Sequence, residues 1–338
     1  MGMIRCVSYE ILSIFCTNMP VLRSIMSKVF ARTAGFVLCT CGWKKRTVFA
    51  NLRHVDGTEP REGSPLRIFQ PGTFYRTLIC NLTRHAGEIL FRFGSFKKLP
   101  RELSAYPCRI DGWNFALAEG SAPVLEKMRA GGIFLTAHFG NYEAIGPWLC
   151  RLGIPLVASY IPLRPAWLNR ILDKRIRAVD GRPYGVDART PREFLRLLDD
   201  GKLVCLLADQ DSRIPSALEG EFLHRPVRNN PLPDFLLRHR PETPVYICWL
   251  EDACGQFKTS SSCGQLKTSG ARILHAIELP RASDTRNNSD TCNENSLPRG
   301  IMPAFNAWLE SRIKENPALW YGWTHRRFYS KNPEIYLG

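Results

Sequence analysis

Four short apolar runs recur through the middle of the chain: IFLTAH at 133–138, IPLVASY at 154–160, KLVCLLAD at 202–209 and PVYICWL at 244–250. Each is too short for a buried helix and carries almost no polar residue before its end, so each reads as a strand covered on both faces. The intervening stretches SAPVLEKMRAGG, NYEAIGPWLCRLG and TPREFLRLLDDG read as helices closed by glycine. In the last of them Thr190 fits an N-cap and Pro191 the first helical position. Strands alternating with helices imply an α/β architecture, a mostly parallel central sheet flanked by helices. Its ligands belong beyond the carboxyl ends of the strands.

The flanks read differently. Residues 51–75 are rich in proline, glycine and charge and suggest a connector, followed by a helix from about Arg76 to Phe93. This divides the chain into an N-terminal helical segment, 1–50, and a main body, 51–338. In the first segment the uncharged runs Ile11–Leu22 and Thr33–Trp43 fall short of the roughly 20 residues that span a bilayer. With Lys44, Lys45 and Arg46 behind them they suit an interfacial membrane anchor, or a pair of ordinary core-facing helices. Asn18, Pro20, Arg23, Lys28 and Arg32 interrupt the apolar stretch, so a secretory leader is not expected. Residues 252–300 break the strand–helix rhythm. CGQFKTS and CGQLKTS, nine residues apart, suggest a surface hairpin, and SDTRNNSDTCNENS a polar loop, so the region reads as an insertion. ARILHAIEL between them is a further candidate strand, and MPAFNAWLESRIKENPALW resumes a helix.

Charge narrows the partners. Lys and Arg number 46 against 31 Asp and Glu, so the surface attracts anions: nucleic acid, an acidic leaflet, phosphorylated lipid or an acidic carrier protein. The 12 cysteines form no C-x-x-C pair and lack the companion histidines of a zinc site, which favours reduced thiols in a cytoplasmic compartment. A G-x-S-x-G elbow, an H-E-x-x-H pair, a P-loop, a zinc-finger pattern and an RNP-type box are all absent. WYGWTHRRFYSK, at 320–331, mixes aromatics with cations, as a membrane interface, a phosphate site or a single-stranded nucleic acid site would.

TAHFGNYEA, at 136–144, ends the first apolar run with a histidine. Within one continuous helix His138 and Glu143 would point about 140° apart. Gly140 permits a sharp turn instead, and Asn141 is a favoured N-cap, which places Glu143 in the first turn of the next helix. Its carboxylate could then fold back onto the imidazole. That pair would make a general base, with turn amides as oxyanion donors. The competing reading is a satisfied strand-end histidine beside an ordinary first-turn glutamate.

His138-Phe139-Gly140-Asn141-Tyr142-Glu143 resembles the H-F-G-N-W-E box of the bacterial lipid A late acyltransferases, the lauroyl and myristoyl transferases, within the wider H-x4-D/E glycerolipid acyltransferases. Further matches follow in the family's order: Asn51-Leu52, Asp209-Gln210 after a buried strand, then Trp320, Trp323 and His325-Arg326-Arg327-Phe328, similar to W-x-x-H-R-R-W. The resemblance spans nearly the whole chain. Two departures stand out. Tyr160-Ile161-Pro162 replaces the family's Tyr-Arg-Pro, leaving Arg164, Arg175 or Arg177 as substitutes, and His224 replaces a glycine in Phe222-Leu223-His224-Arg225-Pro226-Val227.

The resemblance implies a glycerol-3-phosphate acyltransferase-like fold. It also implies transfer of a fatty acyl group from an acyl carrier protein thioester to a hydroxyl of a lipid A-type glycolipid, at the cytoplasmic face of the inner membrane. It assigns catalysis to His138 as base and Glu143 as its orienting partner. Gly140, Asn141, Asp209 and Gln210 are its candidate substrate contacts, and Arg164, Arg175 and Arg225 are candidates for an anionic head group, since guanidinium binds phosphate through paired hydrogen bonds. No metal or cofactor is called for, because the thioester is already activated, and no nucleic acid is expected. At Asp209 and Gln210, contact with the acceptor, support of the catalytic loop and a plain turn all remain open. The alternatives are acyl transfer to another glycolipid or lysophospholipid, and a non-enzymatic basic protein on membrane or nucleic acid.

Overall fold

The glycine and proline punctuation seen in the sequence sets the helix ends. Thr190 Oγ1 accepts from the Glu193 amide at 3.4 Å while the Glu193 carboxylate accepts from the Thr190 amide at 2.8 Å, a capping box worth about 1 kcal/mol. Gly201 closes the same helix at φ +68°, a left-handed conformation that glycine adopts without steric cost.

The computed structural model describes residues 20–56, 70–159, 178–179, 182–257, 266–280 and 300–337. Three helices come first: α1 (Pro20–Thr40), α2 (Lys45–Asp56) and α3 (Pro71–Arg92). Then follow β1 (Cys108–Ile110), β2 (Trp113–Leu117), α4 (Ser121–Lys127), β3 (Gly132–Thr136), α5 (Ile145–Arg151) and β4 (Leu156–Ser159). Beyond β4 lie β5 (Ala178–Val179), β6 (Arg182–Pro183), β7 (Gly185–Val186), α6 (Pro191–Asp199) and β8 (Leu203–Leu207). The chain continues with β9 (Leu218–Phe222), β10 (Arg225–Asn229), α7 (Leu232–His239), β11 (Val245–Phe257), β12 (Leu266–Glu278) and α8 (Met302–Glu315).

Eight strands form the central sheet in the order β1-β2-β12-β11-β3-β8-β4-β7. Every neighbouring pair is parallel except β1/β2 and β11/β12, so the expected mostly parallel α/β sheet is present. Alternation along the strands fills two cores. Ile133 and Leu135 pack with Val204, Leu206, Val245 and Ile247 on one face. Phe134 packs with Leu203, Tyr246 and Cys248 on the other.

Three sequence expectations are corrected. The boundary at 50/51 falls inside α2, where Val48 and Leu52 are core residues, and the Tyr75 hydroxyl donates to the carbonyls of Leu38 (3.1 Å) and Trp43 (2.8 Å). The N-terminal helices thus pack on the body. Next, the region 252–300 is not wholly an insertion: at their bases β11 pairs with β3 (Val245–Ile247) and β12 with β2 (Ala271–Leu274), while beyond them 254–257 and 266–269 pair only with each other, as the expected hairpin does. The described parts of the near-repeat face each other, with Cys254 opposite Ser269 and Phe257 opposite Leu266. The polar loop lies outside the described residues. Finally, the helix expected from Asn141 starts as a 3-10 turn, Tyr142–Ala144, before α5.

No helix among the described residues is long and apolar enough to cross a membrane. The outer face of α1 nonetheless exposes Ile25 (52%), Val29 (57%), Phe36 (72%) and Val37 (54%).

Candidate active site

Strands β3 and β8 are parallel neighbours in register from Gly132 opposite Leu203 to Thr136 opposite Leu207. Carried two residues further, that register sets His138 opposite Asp209 at the carboxyl edge of the sheet. The Ala208 amide still bonds the Thr136 carbonyl at 3.0 Å, so the alignment persists past the strands.

Asp209 is buried and accepts three hydrogen bonds. His138 Nδ1 lies 2.8 Å from Oδ1, the His138 amide donates to Oδ2 at 3.0 Å, and Trp320 Nε1 donates to Oδ2 at 2.9 Å. A carboxylate can only accept, so Nδ1 carries the proton, and in the neutral ring Nε2 keeps its lone pair. The His138 side chain is 15% exposed, and Gln210 Nε2 stands 3.5 Å from Nε2. This corrects the pairing read from the sequence: the carboxylate on the imidazole is Asp209, and Glu143 acts through its field.

Burial works against charge on His138, but the charge and hydrogen bond of Asp209, then the field of Glu143, outweigh it and raise its pKa above 6.5. Burial likewise opposes the Asp209 carboxylate, yet His138 and the Trp320 indole bring it down from 3.8 to about 2. The pair is an ionised acid holding a basic imidazole.

The turn after His138 is fixed by backbone. Gly140 adopts φ +59°, and a Cβ there would meet the Leu250 carbonyl at 3.2 Å. Its amide donates to the Leu319 carbonyl at 2.9 Å, and the Phe139 amide to Ala137 at 2.7 Å, so neither is free for an oxyanion. Asn141 caps no helix. It is buried, and Nδ2 donates to Glu88 Oε2 at 2.9 Å while its Oδ1 has no partner.

The C-terminal segment clamps this turn from the other side. The Tyr321 amide donates to the His138 carbonyl at 2.7 Å, and Phe139 and Trp320 form an antiparallel bridge. The His325 ring lies 5.3 Å from that of His138; desolvation, then the charge of His138, holds it below its ordinary pKa. Asn51 donates to the carbonyls of Trp323 and His325, each at 2.8 Å. Arg327, buried, donates to the Gln210 and Arg228 carbonyls at 3.1 and 3.0 Å and so holds the loop that carries Gln210. Burial lowers its pKa to about 10. Site assignment from the sequence omits Asn51, Trp320, Tyr321, His325 and Arg327. The signal was the aromatic and basic C-terminal motif itself.

Behind the turn lies a buried polar cluster. Arg84, His85 and Glu88 of α3 meet Asp252 of β11 and Arg272 of β12. Asp252 Oδ2 accepts from Arg84 at 2.6 Å and lies 2.9 Å from His85 Nε2, and Arg272 pairs with Glu88. Tyr321 bonds His85 through its hydroxyl, linking the cluster to the clamp.

The remaining expected contacts fall elsewhere. Arg164 and Arg175 lie outside the described residues. Arg225 opens β10, where its charge, after burial, helps depress the pKa of His54. No hydrogen bond or ion pair ties Arg225 to His138 among the described residues. No family model matches the chain, and no curated protein matches it.

Proposed function

We propose that this chain is an acyltransferase that moves a fatty acyl group from an acyl carrier protein thioester to a hydroxyl of a lipid A-type glycolipid. The observation that carries the reading is the His138–Asp209 pair at the carboxyl edge of the sheet, with Nδ1 turned to the carboxylate so that Nε2 is the basic nitrogen of the neutral ring. In this reading His138 Nε2 takes the proton of the acceptor hydroxyl, and Asp209 steadies the imidazolium. The alkoxide attacks the thioester carbonyl, the C–S bond breaks, and the proton on Nε2 passes to the departing thiolate. Gln210, beside Nε2, is placed to orient the incoming hydroxyl.

The resemblance in motif order supports the substrate class, and the exposed apolar residues of α1, alternating with Lys28 and Arg32, suit a helix lying on an anionic bilayer. A carrier-bound donor then places the reaction at the cytoplasmic face of the inner membrane. Ile161, where the family carries arginine, favours a second reading in which the acceptor is another glycolipid or a lysophospholipid.

One assay tests both: acyl carrier protein thioesters with a panel of glycolipid and lysophospholipid acceptors. Transfer is expected with at least one acceptor, falling about 10²–10⁴-fold in His138→Ala. Undiminished transfer by a folded His138→Ala protein overturns the assignment.

A further inference from the structure

The first turn of α2 and the C-terminal segment enclose a cleft of about 440 Å³, a size that suits a small-molecule group rather than a bare ion. Five cations line it: Lys44, Lys45, Arg46, Arg53 and Arg326. Ile335 and Leu337 supply an apolar wall.

Several cations elsewhere in the protein are paired. Arg240 meets Asp199, Arg189 meets Asp187 and Lys98 meets Asp111. Among the described residues, none of the five in the cleft has a carboxylate partner. Like charges gathered well within a Debye length of about 8–10 Å repel one another, so the arrangement favours an anion between them.

The backbone adds to this. Lys44 sits at φ +58°, a conformation costing a side chain about 1–2 kcal/mol, and it turns the chain into α2. The amides of Arg46 and Thr47, in the first turn, bond no carbonyl among the described residues, so they add donors and the positive end of the helix. Guanidinium forks match phosphate oxygens through paired hydrogen bonds.

The cleft adjoins the candidate active site. Tyr336, in its wall, bonds Asn51 Oδ1, and the Asn51 amide holds the carbonyl of His325, whose ring faces His138. We infer that this cleft is a binding site for a phosphate ester carried on a larger, partly apolar substrate. The phosphate is that of a glycolipid headgroup or of the pantetheine arm of the donor. Only the choice of carrier rests on the acyl-transfer reading; phosphate binding does not.

Calorimetric titration of the full chain with pyrophosphate, glucosamine 1-phosphate and 4′-phosphopantetheine tests it. Saturable binding is expected, weakened at least about tenfold by Lys45→Ala with Arg326→Ala and again by Lys44→Ala with Arg46→Ala, and unchanged by Lys314→Ala on α8. Tighter binding of the sugar phosphate assigns the acceptor, and tighter binding of phosphopantetheine the donor. No saturable binding of any probe, or equal binding by both double variants, overturns the site. Variant-sensitive phosphate binding without acyl transfer leaves the site standing and removes the catalytic reading. Acyl transfer with KM for both substrates unchanged in the double variants, and no phosphate binding, does the reverse.

Discussion

His138 can act as a base only when neutral, so its surroundings set the pH at which it works. Because Asp209 and Glu143 both raise its pKa, activity should climb with pH through a value above 6.5. Glu143→Gln removes one of the two raising charges, so the acid limb of kcat/KM should move to lower pH with modest loss of rate. Asp209→Asn should move it too and cut kcat by about 10²–10⁴-fold, since the ring loses its orienting acceptor. An acid limb that stays in place in both variants assigns the titration to another group. A second residue invites a stability test. Leu223 and His224 both take positive φ (+51° and +59°) in the turn joining β9 to β10, and the resemblance has glycine in place of His224. His224→Gly should raise the unfolding free energy by about 1 kcal/mol, read from urea midpoints; a fall would mean that the imidazole holds something in place.

Element packing decides which carboxylate meets the histidine, and the sequence showed this only in part. The runs FLTAH and CLLAD both end in alanine followed by a polar residue, so both ends were legible as site positions. Their adjacency was not, because β4 lies between them in the chain yet outside them in the sheet. Glu143, near in sequence, took the role that sheet order gives to Asp209. Asn141 misled for a related reason: its residue type fits a helix cap, but a carboxylate on α3, Glu88, captures its amide. The same packing explains the buried cluster across α3, β11 and β12. Arg272→Met would leave Glu88 and Asp252 buried with less compensating charge, at a cost of about 3 kcal/mol or more. Because Glu88 also holds Asn141, the turn at His138 should loosen, so activity should fall further than stability alone requires. Wild-type urea stability in Arg272→Met would show that the cluster tolerates the loss by admitting water.

Over the whole molecule, periodicity revealed the parallel α/β layering, while the burial of β11 and β12 and the docking of α1 and α2 depend on long-range pairing that no local pattern encodes. One bulk property follows from the same site. The Asp209 carboxyl is held at about 2 against 3.8 when free, so the folded state releases its proton where the unfolded chain still keeps one. Its contribution, about 2 kcal/mol, is therefore complete above about pH 4 and lost as pH falls towards about 2. His138 has the opposite sign: its raised pKa gives stability that is full below 6.5 and lost as pH rises through the folded value. The two describe one attraction seen from its two partners, so the pair stabilises the fold across a window bounded on both sides. Urea midpoints followed from about pH 2 to about pH 9 should pass through a maximum inside that window. Asp209→Asn should flatten both flanks together, because it removes the carboxylate that titrates on one side and the charge that lifts the imidazole on the other. Were the variant to flatten only the acid flank, His138 would have to draw its proton affinity from a source other than Asp209, and the pairing at the centre of this site would fail.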